Sequence, residues 1–214
     1  MDRIPFYRRP LRRTDFNAAL ILLAINVLLF FATQVAPQLQ LYLSMIPLAV
    51  LGENWWWQPF TYMFMHSGTW HLLFNMLALF LFGIQLEQRV GASELLVFYL
   101  RVGTRAGLFS LGVYWMTGSM RVILLGASGA VFGLLLAFAT FFPTATILVF
   151  GILPVRAPIL VIGYAGLELF NMFTRSGGGV AHLTHLAGLL FAFLYLVIRL
   201  RINPITVFRE SGRY

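Results

Sequence analysis

The sequence predicts an all-α polytopic membrane protein, a bundle of six transmembrane helices, and three observations carry that reading. The 214 residues are 60% hydrophobic and only 10% charged, against about 25% charged in a soluble domain. Mean hydropathy is +0.84. The apolar residues fall into six runs near the length that crosses a bilayer, about 20 residues each. Such a chain needs lipid around it rather than a single water-facing core.

The runs lie at 16–36, 68–86, 94–116, 128–142, 157–173 and 181–200. A basic tail, 1–15, precedes the first run, and a tail of 201–214 follows the last. The segment 16–200 reads as one domain, without repeats or low-complexity stretches. The first run follows basic residues but is long enough to span, and further spans follow it, so no cleavable signal is evident. Between the first and second runs lies a loop, 37–67, with Trp55, Trp56 and Trp57 in succession. Indole rings favour the membrane–water interface, which puts this loop in or on the headgroups. The stretch FFPTATILVFGILPVRAP is broken by Pro143, Pro154 and Pro158; it reads as a surface segment with Arg156 in water.

The net charge of +8 is carried by arginine alone, because the chain contains no lysine. Clustered arginine invites a nucleic-acid reading, but here the arginines sit mainly at the two ends. Arg3, Arg8, Arg9, Arg12 and Arg13 precede the first span, and Arg199, Arg201, Arg209 and Arg213 end or follow the last. The positive-inside rule then places both termini in the cytoplasm, as an even number of spans requires. Arg89 and Arg156 fall on inner loops and agree; Arg121 and Arg175 fall outside. With no cysteine, disulfides and thiolate chemistry are excluded.

That topology brings polar residues together. The second, fourth and sixth spans all enter from outside, and near their starts lie His71 and Asn75, then Ser128, then His182 and His185. The fourth span is short: about 15 residues rise about 22 Å against a hydrocarbon core of about 30 Å. The Gly-Ala-Ser-Gly turn at its head should therefore lie at the bottom of a dent open to the outside. Irregular backbone at such depth requires surrounding protein or water.

A serine hydroxyl needs a base within reach and donors for the developing oxyanion. Histidine is the expected base, since no carboxylate occurs on the outer ends of spans two, four or six. His185 is favoured over His182, because Gly188 and Ala192 share its helical face and Gly129 and Gly133 give the fourth span a matching smooth stripe for close approach. His71 and Asn75, four residues apart, face one way as donors, beside the Ser128 N–H at a helix N-terminus. Taken singly, each residue has an ordinary explanation: a packing serine, interfacial histidines. Four histidines, His66 included, also raise the question of a metal, but no acidic ligand accompanies them in this reading and no HExxH occurs. Polar groups converging within spans point to function.

With these residues in view, the chain resembles the rhomboid intramembrane serine proteases over nearly its whole length. GASG matches the GxSG motif opening the family's fourth helix, HLLFN matches its helix-two histidine and asparagine, and AHLTHLAGLL matches its helix-six pattern. TYMFMHSGTWHLLFN and LEQRVG resemble the family's approach to and exit from helix two, with Glu87 and Arg89 at recurrent positions. Two departures stand out. The family's Trp-Arg in the first loop is Trp57-Gln58 here, and a tyrosine that stacks on the histidine in some members is Phe132.

The resemblance implies a serine endopeptidase that cuts transmembrane segments of other proteins near the outer membrane face. Ser128 is the implied nucleophile, His185 the base, and His71 and Asn75 the oxyanion donors. Transmembrane protein substrates and the lipid bilayer are the implied partners, with no cofactor, metal or nucleic acid, in a bacterial inner membrane. Rival readings are a catalytically silent rhomboid-like protein that binds membrane clients, which would have lost the serine or the base, and a small transporter, which would need a path through the membrane. Arg101 and Arg105 in the third span match no family pattern. Each costs about 2.5–3.5 kcal/mol near a helix centre, and Glu94, Arg101 and Arg105 share a stripe that would form a partly paired strip.

Overall fold

The computed structural model describes residues 16–149, 151–174 and 179–212. The basic tail with Arg3 to Arg13, Arg175 and Arg213 lie outside the described residues. Six helices form the bundle: α1 (Ala18–Val35), α2 (Thr69–Val90), α3 (Ala92–Met116), α4 (Ser128–Phe141), α5 (Ala157–Thr174) and α6 (Gly179–Tyr195, carried on by a π-turn at Leu196–Leu200). All but α4 are long and apolar enough to cross a membrane. The α4 helix has 14 residues, about 21 Å of rise, so the expectation of a short fourth span holds. A C-terminal helix, α7 (Pro204–Ser211), starts behind Asn203, whose side chain accepts the Ile205 N–H at 3.0 Å.

Exposure follows the position of each helix. In α4, eleven residues from Gly129 to Thr140 are buried, as expected of a helix surrounded by the others. By contrast α1 and α5 show Leu28, Phe31, Ile159, Ile162, Phe170 and Phe173 outward, the apolar face that lipid covers. α4 packs against α3, α5 and α6, and most closely against α6. Small residues set that approach: a Cβ on Gly188 would lie 2.0 Å from the Gly129 carbonyl oxygen. Helices associate in lipid by such backbone contact, because lipid tails offer no hydrophobic drive.

The loop between α1 and α2 is built rather than slack. Short helices at Gln38–Leu43, Pro47–Gly52 and Gln58–Thr61 turn it back on itself. Gln58 is buried and knits it: its Oε1 accepts the Ile46 N–H at 2.9 Å and its Nε2 donates to the Leu41 and Tyr42 carbonyls. The residue that departs from the family's arginine thus helps to tie the loop together. The three tryptophans do not act alike. Trp55 and Trp57 stack on each other, Trp57 donates to the Tyr42 carbonyl at 2.9 Å, and Trp56 is exposed.

The proline-broken segment after α4 forms a hairpin: β1 (Thr146–Val149) and β2 (Leu153–Arg156) pair antiparallel around Gly151 at φ 72°, with Arg156 exposed as expected. One expectation needs correction. The proposed strip of Glu94, Arg101 and Arg105 does not form. Glu94 instead takes Arg199 of α6, Nε to Oε1 and Nη2 to Oε2 at 2.7 Å each, with the Tyr195 hydroxyl donating to Oε1 at 2.5 Å. Arg101 and Arg105 are exposed on the surface of α3.

Candidate active site

The turn before α4 is gripped by the first loop. Met45 and Leu124 exchange backbone hydrogen bonds at 2.8 and 2.9 Å, and the Gly126 N–H donates to the Tyr62 carbonyl at 3.0 Å. Tyr62 is anchored in turn, its hydroxyl donating to the Gly103 carbonyl of α3 at 2.7 Å. Gly126 has φ 122°, and a Cβ there would lie 2.8 Å from His71 Nε2 and 3.6 Å from Ser128 Oγ. Only glycine fits this conformation, and its missing side chain leaves room for the His71 ring.

Ser128 opens α4, where the helix leaves its first N–H groups without internal partners. Its Oγ lies 2.7 Å from His185 Nε2 across the α4–α6 contact. Phe132, one turn along α4, lies parallel to the His185 ring at 4.4 Å and 8°. The loss of the tyrosine hydroxyl therefore leaves the stacking intact. His182 does not touch Ser128.

The oxyanion candidates share the site. His71 Nδ1 is 3.1 Å from Ser67 Oγ, which orients the ring with Nε2 toward Gly126 and Ser128. Asn75 is buried and donates one Nδ2 hydrogen to the His71 carbonyl, one turn back in its own helix, at 2.8 Å; its amide has a second hydrogen to give. His66, the fourth histidine, is buried behind His71 with ring centroids 5.1 Å apart.

One ionisable residue at this end is absent from the sequence reading. Glu168 of α5 is buried, with Oε2 at 2.5 Å from His182 Nδ1 and Oε1 at 3.1 Å from His185 Nδ1. The second contact is an ion-pair distance whose direction falls outside hydrogen-bond geometry. The expectation that no acidic group accompanies the histidines is thus wrong. It considered only the spans that begin at this end, whereas α5 finishes there. The available signal was a lone glutamate inside an apolar span, in GLELF. Glu168, His182 and His185 hold ligand atoms within 4.8 Å of one another, and among the described residues they form the cluster that offers a metal the most.

Chemically, a hydroxyl, an imidazole in contact with it and neighbouring N–H groups converge at the start of α4. That arrangement suits acyl transfer.

Comparison with known proteins points the same way. The family model of the Rhomboid domain matches residues 53–202. The chain is 36% identical over 141 residues to the mitochondrial Rhomboid protein 1 of Saccharomyces cerevisiae, covering 62% of this chain and 38% of that protein. It is 40% identical over 96 residues to the Rhomboid protease AarA of Providencia stuartii, covering 39% and 33%. It is 38% identical over 79 residues to the Putative rhomboid protease YdcA of Bacillus subtilis, covering 37% and 38%. These matches span between a third and two-fifths of the relatives' own lengths.

Proposed function

The chain belongs to the rhomboid family, and from that premise we propose that it is an intramembrane serine endopeptidase with Ser128 as nucleophile and His185 as base. The observation that carries this reading is the 2.7 Å contact between Ser128 Oγ and His185 Nε2. Both reacting groups of the family are present and in contact, and proteases stand among the similar proteins.

His185 Nε2 takes the hydroxyl proton as Ser128 Oγ bonds to the scissile carbonyl carbon. The carbonyl oxygen becomes an oxyanion, held by the Ser128 N–H, His71 and Asn75. The C–N bond then breaks, His185 returns the proton to the leaving amine, and an ester remains on Ser128. Water attacks that ester with His185 again as base, releasing the acid and restoring the serine. Positioning is supported by the built loop, which fixes the turn, and by Phe132, which fixes the imidazole plane. Preorganisation of this kind makes donors effective in a site with little bulk water.

The substrates are transmembrane segments, cut near the membrane face at which α2, α4 and α6 begin. Arginine at both ends of the chain supports a cytoplasmic place for the termini, so that this face is the outer one of a bacterial plasma membrane. The test is cleavage of a transmembrane substrate in proteoliposomes by wild type and by Ser128→Ala. Cleavage by wild type alone is expected. Equal cleavage by both would remove the serine mechanism, and cleavage by neither would leave a protein that binds clients without cutting them.

A further inference from the structure

We propose that Glu168 is a positioning residue that holds His185 in the tautomer and orientation Ser128 requires, extending the Ser–His pair to a Ser–His–Glu arrangement. The inference rests on the protease reading above. Three observations carry it.

The first is placement. Beyond its first two turns, with Ala157, Pro158 and Val161, α5 has one inward position among the residues found buried, and it is Glu168. Its neighbours Leu167, Leu169 and Phe170 face outward. An apolar side chain would fill an inward position in a span at no cost, whereas a carboxylate there must be compensated. The compensation comes from the histidine that touches the serine and from the one beside it.

The second is geometry. His185 Nε2 is hydrogen-bonded with Ser128 Oγ at 2.7 Å, and its Nδ1 lies at ion-pair distance, 3.1 Å, from Glu168 Oε1. Phe132 holds the ring plane from one face. The carboxylate is itself held, since His182 Nδ1 binds its other oxygen at 2.5 Å. His182, which does not touch the serine, thereby gains a place in the site.

The third is chemistry. A neutral imidazole carries one N–H. If that hydrogen sits on Nε2, the ring donates to the serine oxygen and has no lone pair there to take its proton. A carboxylate beside Nδ1 keeps the hydrogen on Nδ1 and leaves Nε2 as the acceptor. It also faces the positive charge that the ring gains when the serine proton arrives. The Nδ1–Oε1 contact is not a well-aligned hydrogen bond in the free protein, as is common before substrate tightens a site.

The experiment compares wild type, Glu168→Gln, Glu168→Asp and Ser128→Ala in proteoliposomes containing a chelator, measuring kcat, KM and melting temperature on the same preparations. Expected are a fall of about 10²-fold or more in kcat for Glu168→Gln, KM within about threefold, a melting temperature close to wild type, and partial recovery of kcat in Glu168→Asp. If Glu168→Gln does not fold, Glu168→Asp decides: it keeps the charge one methylene further away, and a kcat reduced with KM retained supports the proposal. Unchanged kcat in a folded Glu168→Gln, or in Glu168→Asp where Glu168→Gln does not fold, or a loss confined to KM or to melting temperature, overturns it. Wild-type activity that vanishes in chelator and returns with zinc makes the three residues a metal site and also overturns it. Cleavage by Ser128→Ala would instead refute the protease reading, a separate outcome.

Discussion

A serine on α4 and a histidine on α6 meet at 2.7 Å although 57 residues separate them, and at this scale small details decide the chemistry. Asn75 spends one amide hydrogen on the His71 carbonyl and keeps a second, which the proposed mechanism directs at the oxyanion. Asn75→Ala should lower kcat by up to about 10²-fold while KM changes little, because a donor aimed at developing charge acts on the transition state. Titrating active sites beside a melting curve checks this; a lower melting temperature with kcat unchanged would make Asn75 a packing residue. His66, in the loop before α2, gives a pH effect. Burial first, and the nearby His71 second, hold its imidazole down to about 4 from the ordinary 6.5. Between those values the unfolded chain binds a proton that the folded chain refuses, so stability rises with pH across the window. Acidification from 6.5 to 4 should therefore cost about 3 kcal/mol, with no further contribution from this residue above or below. Melting curves in detergent across that range should fall for wild type and flatten for His66→Gln; parallel curves would contradict it. In the sequence Ser128 and His185 stood out because span counting put both at one face. Glu168 did not, because contact across helix ends depends on how α5 is rotated, and no periodicity in so apolar a span reports that.

Among the elements, the spans were legible to within a few residues, since length and hydropathy are what a bilayer demands; the second, read as 68–86, runs on to Val90. The reading of 157–173, for example, differs from α5 by one residue. The first loop was legible only as interfacial. Its folded form depends on long-range bonds such as Gln58 to Ile46 and Met45 to Leu124, which leave no local pattern. The β1–β2 hairpin was hidden for a similar reason: two strands of four residues between prolines resemble any surface segment. The sequence marked Glu87 only through resemblance, and the structure shows what it does. Its two carboxylate oxygens accept the Ala18 and Ala19 N–H groups at 2.9 and 2.8 Å, so α2 caps the start of α1. Glu87→Ala should cost about 1–2 kcal/mol, read as a lower melting temperature with kcat per folded molecule retained. A drop in kcat at unchanged stability would show that this cap reaches the site.

The whole molecule is organised around α4, with the site at the end where it begins and the Glu94–Arg199–Tyr195 network toward the other. That network joins α3 to α6, the helix that carries His185. Breaking one partner of a buried pair strands the other, at about 3–5 kcal/mol; Glu94→Gln should show a loss of that order in thermal unfolding, and a loss below about 1 kcal/mol would mean that Arg199 finds water instead. Sequence reasoning paired Glu94 with its own helix, because spacing along one helix can be read and proximity across a bundle cannot. The most direct measurement is to treat the protein in proteoliposomes with a fluorophosphonate and locate the adduct by mass spectrometry, in wild type and in His185→Ala. A Ser128–His185 hydrolase carries the phosphonyl group on Ser128 in wild type and loses it in His185→Ala. An adduct on another residue, or undiminished modification of Ser128 without His185, would contradict it.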